Sequence, residues 1–456
     1  MKTVGLKVLV VGLGKTGFAA ADRLSELGAD VTVTDKRNAE ELGTQIALLD
    51  KKVITAVGGY DDIIGVMFDI VVPSPGVDWD SGLLQNFRNR GIKVISEIEL
   101  AFRLAPSRWV AVTGTNGKTT TTSMVGDILK KAGIDCTVCG NIGNPAIGED
   151  SIFDKDATVV AEVSSFQLEA VESFAPAVAA ILNITPDHLD RHRSMENYTS
   201  IKSLIFLKQK TSDVCVLNMD DPVTASLAPA ARSKVVGFSS KKSVDEGAFA
   251  EEGRIYITEK GERTLIGPVE DLKVEGQANI ENALAACAIS RAAGADAESI
   301  KRGLFEFKGM PHRMEPVAVI GSVRYINDSK GTNVSATVKA VTGIDKGVVL
   351  IVGGRDKDGD FAPLAEAIRN KRAKVILIGE AADKIASALG DYADVFRAAD
   401  MADAVRKGAS VSKPGDTVLL SPACASFDMY KNFEERGEIF SRAVAALNPG
   451  MGAVNA

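Results

Sequence analysis

Trp109-Val110-Ala111-Val112-Thr113-Gly114-Thr115-Asn116-Gly117-Lys118-Thr119-Thr120 passes from an apolar run, through a glycine-bounded loop, into a helical stretch. A short buried strand followed by Gly-Lys-Thr at a helix start is the end of a Walker A phosphate loop. The full pattern would place a glycine where this chain has Val112, so the match is to Gly-Lys-Thr plus Gly114. Its chemistry is still legible. Successive N–H groups of Gly114, Thr115, Asn116, Gly117 and Thr120 can wrap phosphates, Lys118 can reach the β- and γ-phosphates, and the Thr119 hydroxyl can ligate Mg²⁺. The bland reading is a tight strand-to-helix turn.

A second turn of this kind lies upstream. Gly12-Leu13-Gly14-Lys15-Thr16-Gly17 follows the apolar run Lys7 to Val11 and opens a helix, and Asp35 ends the next strand. Glycines permit close approach of an anion to N–H groups at a helix N-terminus, and a carboxylate at that strand end can accept a ribose or base hydrogen bond. Alone, this fingerprint reads as NAD binding. Two nucleotide-type turns in one chain argue against a simple dehydrogenase, because hydride transfer needs no triphosphate.

The remaining apolar runs extend the alternation of short strands and helical segments. They fall at Val31 to Thr34, Val53 to Ala56, Asp69 to Val72, Lys93 to Ile95, Thr158 to Val163, Val178 to Leu182 and Val214 to Leu217. Hairpin-like signals follow near Gly253 to Thr258 and Arg263 to Ile266, then strands at Arg324 to Asn327, Gly347 to Val352, Lys374 to Ile378 and Thr417 to Leu420. Such alternation implies parallel sheets covered by helices. The expected fold class is α/β in three tandem domains. These are a Rossmann-like domain at 1–97, a central P-loop ATPase-like domain at 98–310, and a Rossmann-like domain at 311–456.

Composition fits that length. The 456 residues carry 53 basic and 60 acidic side chains, a formal charge of −7, with 45% hydrophobic and 25% charged residues. This is an ordinary globular balance, and its acidity argues against nucleic acid as a partner. No apolar stretch reaches the roughly 18 residues of a membrane span, and glycines break the N-terminal run before it can act as a signal peptide. Five scattered cysteines, at 136, 139, 215, 287 and 424, suit a reducing cytoplasm better than a disulfide framework. Cys136-Thr137-Val138-Cys139 has redox-dithiol spacing, but two small buried residues explain it as simply.

Metal chemistry has two candidate places. Glu162 ends the strand of Val159-Val160-Ala161-Glu162-Val163-Ser164-Ser165, where an acid can coordinate a hard cation beside phosphates. Two of the three histidines sit in Asn183-Ile184-Thr185-Pro186-Asp187-His188-Leu189-Asp190-Arg191-His192. Their spacing is that of a zinc helix, but Leu189 replaces the expected glutamate and Pro186 disfavours a helix before it. His188 reads as a Mg²⁺-site residue alongside Glu162 or as a hydrogen-bonded loop residue.

Taken in order, Gly114 to Thr119, Gly140-Asn141-Ile142-Gly143, Glu162 to Leu168, Asn183 to Asp190, Gly309-Met310-Pro311-His312-Arg313 and Asn327 to Asn333 resemble the bacterial cell-wall Mur ligases. The resemblance spans all three expected domains. Leu420 to Asp428 and Asn432-Phe433-Glu434-Glu435-Arg436-Gly437 are most similar to the family member that adds D-glutamate. The Asp-Asn-Pro-Arg string of the diaminopimelate- or lysine-adding member is absent.

The resemblance implies ATP-dependent joining of D-glutamate to UDP-N-acetylmuramoyl-L-alanine through an acyl phosphate. It assigns ATP to Gly114 through Thr120, Asn279, Asn282, Arg313, Asp328 and Lys330. Two Mg²⁺ ions would be held by Thr119, Glu162, His188 and a CO₂-derived carbamate on Lys202, which from periodicity alone reads as a solvated lysine on an amphipathic helix. The catalytic set would be Lys118, Glu162, His188, Lys202 and Arg313. The UDP-sugar would meet Gly14, Lys15, Thr16, Asp35, Lys36, Arg37, Ser74, Pro75, Gly76, Asn141, Ser164 and His188. D-Glutamate would meet Thr332, Lys357, Ser426, Phe427 and Phe433. Read without the family, Thr332 is a helix N-cap, Lys357 a loop charge, and the two phenylalanines core. A cytoplasmic monomer with small-molecule substrates and no membrane insertion is expected.

Overall fold

A computed structural model of the chain describes residues 1–356 and 359–447, so Lys357 lies outside the described residues. Its strands form three sheets. The first contains β1 (Lys7–Val11), β2 (Asp30–Asp35), β3 (Ile54–Val57), β4 (Ile70–Pro73) and β5 (Lys93–Val94) in the order β3-β2-β1-β4-β5, all parallel. In β1 every residue after Lys7 is buried, as a strand covered on both faces requires. Strand order reverses at β1, so the crevice at its carboxyl end falls where the first glycine turn begins.

The second sheet comprises β6 (Arg108–Thr113), β7 (Cys136–Gly140), β8 (Thr158–Glu162), β9 (Val178–Ile181), β10 (Val214–Asn218), β11 (Lys234–Ser239), β12 (Gly247–Glu251), β13 (Arg254–Glu259) and β14 (Glu262–Pro268). Its order is β14-β13-β12-β11-β10-β9-β6-β8-β7. Only the pairings of β12, β13 and β14 with one another are antiparallel. β6 lies between β8 and β9, and its Val112 is in register with Glu162. The sheet geometry therefore brings the phosphate loop after β6 and the acid at the end of β8 to one edge.

The third sheet holds β15 (Glu315–Ile320), β16 (Val323–Asn327), β17 (Val348–Gly353), β18 (Lys374–Ile378), β19 (Val395–Arg397) and β20 (Thr417–Leu420), in the order β15-β16-β20-β17-β18-β19. Only β15 runs antiparallel, and its Pro316 suits an edge strand that has no ladder partner on one side. Val349, Ile351, Val418 and Leu420 are completely buried in the core below it. Burying each such side chain contributes about 1.5–3 kcal/mol before entropy is counted.

The strands read from apolar runs are all present within a residue or two. β7, β11, β12, β15 and β19 were not anticipated, because Cys-Thr-Val-Cys-Gly, Gly-Ala-Phe-Ala-Glu and their like carry no clear alternation. Contacts divide the chain into two compact units. One comprises Met1–Ile184, Glu196–Asp271 and Asn282–Phe305, and therefore both the first and second sheets. The other comprises Thr185–Met195, Leu272–Glu281 and the chain from 306 onward. Among the described residues no helix is long and apolar enough to cross a membrane.

Candidate active site

The phosphate loop leaves β6 at Thr113 and enters the helix Lys118–Lys131. Gly114 (φ +153°) and Gly117 (φ +84°) adopt backbone angles that L side chains rarely adopt. A Cβ at Gly117 would also stand 2.2 Å from Asn282 Oδ1. Gly117 caps the helix without a side chain, so the first N–H groups face the loop's mouth, where an anion is favoured. Asn183 braces the loop from the end of β9: its Oδ1 accepts from Asn116 N at 2.8 Å and its carbonyl from Thr115 N at 2.9 Å. The Lys118 ammonium curls over the loop, donating to the carbonyls of Gly114 and Thr115. Asn282 Oδ1 accepts from the Thr121 hydroxyl at 3.4 Å, beneath the same turn. Asn279 lies in the other unit, donating from Nδ2 to the Glu275 carbonyl.

Glu162 is 2% exposed. Its Oε1 accepts from Asn141 Nδ2 at 2.7 Å, and its backbone carbonyl accepts from Asn141 N at 2.8 Å. Its Oε2 is buried with no hydrogen-bond partner among the described residues. A bare buried acceptor costs about 1–3 kcal/mol, and more when it is charged. A hard cation would satisfy that oxygen. Among the described residues no cluster of three or more His, Cys, Asp or Glu could enclose a metal. A single buried carboxylate oxygen suits Mg²⁺, which keeps waters and phosphate oxygens as its other ligands. Ser164 and Gln167 close the following turn as a reciprocal capping box.

Lys202, on the helix Met195–Ser203, is 1% exposed, which overturns the solvated-lysine reading. Its Nζ donates to the Gly114 carbonyl at 3.0 Å and lies 4.7 Å from the centre of the Tyr198 ring. Tyr198 in turn shares a 3.3 Å hydrogen bond with the Thr115 hydroxyl. Lys202 thus lies directly under the phosphate loop. Its periodicity gave no sign of this, because tertiary packing rather than helix patterning buries it.

The first glycine turn is organised differently. Asp35 Oδ2 accepts from Leu13 N at 2.8 Å and from Arg37 Nη2, while Oδ1 accepts from the Arg37 backbone N and Nε. Burial alone would raise this carboxyl, but the hydrogen bonds from Arg37 and Leu13 outweigh it and hold it at about 2. Asp35 therefore shapes the turn and fixes the Arg37 guanidinium. Ser74 donates from Oγ to the Gly12 carbonyl at 2.8 Å. Lys15 Nζ donates to the Gly143 carbonyl at 2.7 Å, in the loop that also carries Asn141. Thr16 lies within the helix Lys15–Glu26, while Lys36, Pro75 and Gly76 lie at the carboxyl ends of β2 and β4.

In the second unit His188 has φ +53°, a strained angle for a bulky residue. Its Nε2 stands 3.7 Å from Asp187 Oδ2, which also accepts from Asn333 Nδ2 at 3.2 Å. His312, Met314 and Ala423 also have positive φ, and the first two flank Arg313. Arg313 faces Asp328, a buried carboxyl that burial pushes up to about 6 despite the Ser421 hydroxyl at 2.7 Å. Lys330 Nζ lies 4.8 Å from the centre of the Phe433 ring. The Thr332 N-cap reading is corrected: Asn333 caps the helix Val334–Thr342, its Oδ1 accepting from Ala336 N. Neither phenylalanine is core, since Phe427 is 63% exposed and Phe433 half-buried, while Ser426 is buried.

Two buried residues escaped the sequence reading. Arg436 is fully enclosed, donating to the Ser329 hydroxyl and carbonyl and to the carbonyls of Cys424 and Ala425. It ties together the two segments that carry Lys330 and Ser426. Glu97, 1% exposed at the start of the helix Glu97–Leu104, accepts from Ile147 N at 2.8 Å through Oε1, while its Oε2 is buried with no hydrogen-bond partner among the described residues. All five cysteines are buried and free, so the C-x-x-C pair is packing.

These sites belong to a recognisable class of ATP-using enzyme. The Mur ligase MurD-like N-terminal domain matches residues 6–96, the Mur ligase middle domain 112–290, and the Mur ligase glutamate ligase domain 312–424. The chain belongs to the Mur ligase family. It is 44% identical over 451 residues to the UDP-N-acetylmuramoylalanine–D-glutamate ligase of Geotalea daltonii, covering 99% of each chain. It is 43% identical over 452 residues to the protein of the same name from Pelotomaculum thermopropionicum, covering 97% of this chain and 98% of that one. Among solved structures, UDP-N-acetylmuramate-alanine ligase MurC from Thermotoga maritima aligns with a TM-score of 0.60 at 21% identity, over 97% of this chain and 100% of that one. MurF ligase from the same organism, in complex with ADP, gives 0.60 at 16% identity, over 97% and 96%. These two likenesses concern the fold.

Proposed function

We infer that the chain is an ATP-dependent amide ligase that adds D-glutamate to UDP-N-acetylmuramoyl-L-alanine in peptidoglycan precursor synthesis, acting as a cytoplasmic monomer. A carboxylate is a poor electrophile, and transfer of a phosphoryl group from ATP gives it a leaving group. The D-glutamate amine then attacks the acyl phosphate carbon, the tetrahedral intermediate expels phosphate, and an amide forms. The observation that carries this reading is the buried, unpartnered Oε2 of Glu162 in register with the strand that feeds a phosphate loop.

Thr119, Glu162, His188 and a carbamate on Lys202 would hold Mg²⁺, which supplies charge neutralisation for the phosphates and the developing oxyanion. Backbone N–H groups of the loop and the Lys118 ammonium bind the phosphates. Arg313 meets the γ-phosphate, its planar fork matched to developing charge. Asn279 and Asn282 contact adenine, and Asp328 and Lys330 approach the nucleotide. In the first domain, 1–97, the glycine turn with Thr16, Lys36, Arg37 and Ser74 to Gly76 takes the UDP portion, with Asp35 acting through Arg37. Asn141, Ser164 and His188 extend that contact. In the third domain, 311–456, Thr332, Lys357, Ser426, Phe427 and Phe433 hold D-glutamate. The middle domain, 98–310, supplies the phosphate loop.

Phosphate release is measured with ATP, Mg²⁺ and UDP-N-acetylmuramoyl-L-alanine, comparing D-glutamate with L-glutamate, D-alanine and meso-diaminopimelate. Release specific to D-glutamate is expected. Release with another amino acid, or none at all, overturns the assignment.

A further inference from the structure

Strand β9 lies between β6 and β10, so the residues just past its end stand between the phosphate loop and the turn that follows Asn218. Leu182, Asn183 and Ile184 occupy that place, and Asn183 is only 7% exposed. A buried side-chain amide is costly unless its oxygen and its NH₂ group are both paired. Here both are, and with one residue of the loop. Asn183 Oδ1 accepts from Asn116 N at 2.8 Å, and Nδ2 donates to the Asn116 carbonyl at 3.1 Å. The Asn183 carbonyl accepts from Thr115 N at 2.9 Å, and Leu182 N donates to the Thr113 carbonyl at 3.0 Å. The pairing of β6 with β9 is thereby carried past the end of both strands and into the loop.

The brace is itself held on both sides. Asn218, 3% exposed, donates from Nδ2 to the Leu182 carbonyl at 2.9 Å, and Asp221 Oδ2 accepts from Ile184 N at 2.8 Å. The other Asp221 oxygen caps the helix Pro222–Ser226, accepting from Val223 N and Thr224 N. The buried Thr224 hydroxyl closes the circuit on the Asn218 carbonyl at 2.7 Å. A buried polar network whose members are paired rigidifies what it encloses.

We propose that Asn183, held by Asn218 and Asp221, is the positioning residue of the phosphate loop. It locks the main chain at Thr115 and Asn116, so that phosphates are met by the N–H groups of the helix start, from Lys118 onward. The proposal rests on the reading of this loop as the ATP site. A shift of about 1 Å in such a loop is enough to cost a hundredfold in rate.

Hydrogen exchange of the segment 113–117 is followed by mass spectrometry on the full chain without nucleotide, beside ADP binding by calorimetry and phosphate release with all substrates. Slow exchange of that segment is expected in the wild type. Asn183→Leu should speed it about tenfold, the worth of one hydrogen bond, and lower kcat about a hundredfold. The KM for the UDP-linked substrate should stay within about twofold. Asp221 separates the tether from the cap. Ser and Asn cap a helix about as well as Asp, but Ser is too short to keep the bond from Ile184 N as well. Asp221→Asn should therefore stay near the wild type. Asp221→Ser, still cooperatively folded, should follow Asn183→Leu in direction, even if that variant does not fold. Fast exchange in the wild type overturns the proposal, as does unchanged kcat in Asp221→Ser or an equal loss in Asp221→Asn. A wild-type chain that binds no ADP fails the ATP-site reading. One that binds it, with exchange and kcat unmoved in the variants, fails the positioning role alone.

Discussion

The two glycine turns share one local design and differ in what surrounds them. At the first, the acid at the next strand's end has all its hydrogen bonds made: Leu13 and Arg37 occupy both Asp35 oxygens. At the second, the nearby acid keeps one buried oxygen unmatched, and a lysine is enclosed beneath the loop. A turn with satisfied neighbours is built to hold a ligand in place. One with an unsatisfied neighbour is built to receive charge, which is what phosphoryl transfer demands.

That contrast can be broken in several ways. Lys118→Ala should cut phosphate release by about a thousandfold or more while melting stays cooperative, because it removes a charge aimed at the transferred group. Near-normal turnover in a phosphate-release assay would erase the distinction between the turns. Lys202→Ala should lose about a hundredfold in rate, and a short carboxylic acid added to the assay should restore part of it. Loss without rescue would leave Lys202 a structural amine, not a carbamate.

Disturbing the first turn should look different. Asp35→Asn should raise KM for the UDP-linked substrate about tenfold, near the worth of one charge-assisted hydrogen bond, with kcat held. A fall in kcat instead would place chemistry at the wrong turn. The same carboxyl titrates at about 2 in the folded chain, below its ordinary value of 3.8. Its contribution to stability is present above pH 4 and lost as pH falls towards 2, a loss the asparagine variant should lack in acid-unfolding curves.

Glu97 gives the opposite sign. Burial raises its carboxyl from 4.5 to about 7, so the folded state keeps a proton that the unfolded chain releases, and stability falls as pH rises through that window. Glu97→Gln should flatten that slope, so that its melting temperature gains on the wild type by roughly a few degrees between pH 5 and pH 8. Parallel slopes would mean the carboxyl is ionised throughout.

The sheets and both turns were readable because each depends on neighbours within a few positions: an apolar run, a glycine, a helix start. Glu162 was readable for the same reason, as an acid at a strand's carboxyl end. Lys202, Glu97 and Arg436 were not. Each is defined by segments far away in sequence, and a charged residue on a helix carries no local mark of being enclosed. The Thr332 cap failed on a narrower point, since adjacent Thr332 and Asn333 are both good caps and only geometry selects Asn333. The carboxylate of Asp35 was readable at its strand end, while its hydrogen bonds to Arg37 and Leu13 were not, because periodicity does not show them.

Gly117 and Asn282 form a constrained pair. With the amide oxygen 2.2 Å from where a methyl would stand, position 117 cannot gain a side chain unless position 282 shrinks. Shrinking it would strip the Thr121 hydroxyl of its acceptor. Across descendants of this gene the two sites should drift together or not at all, and a library randomising both should return functional clones almost solely with the parental combination.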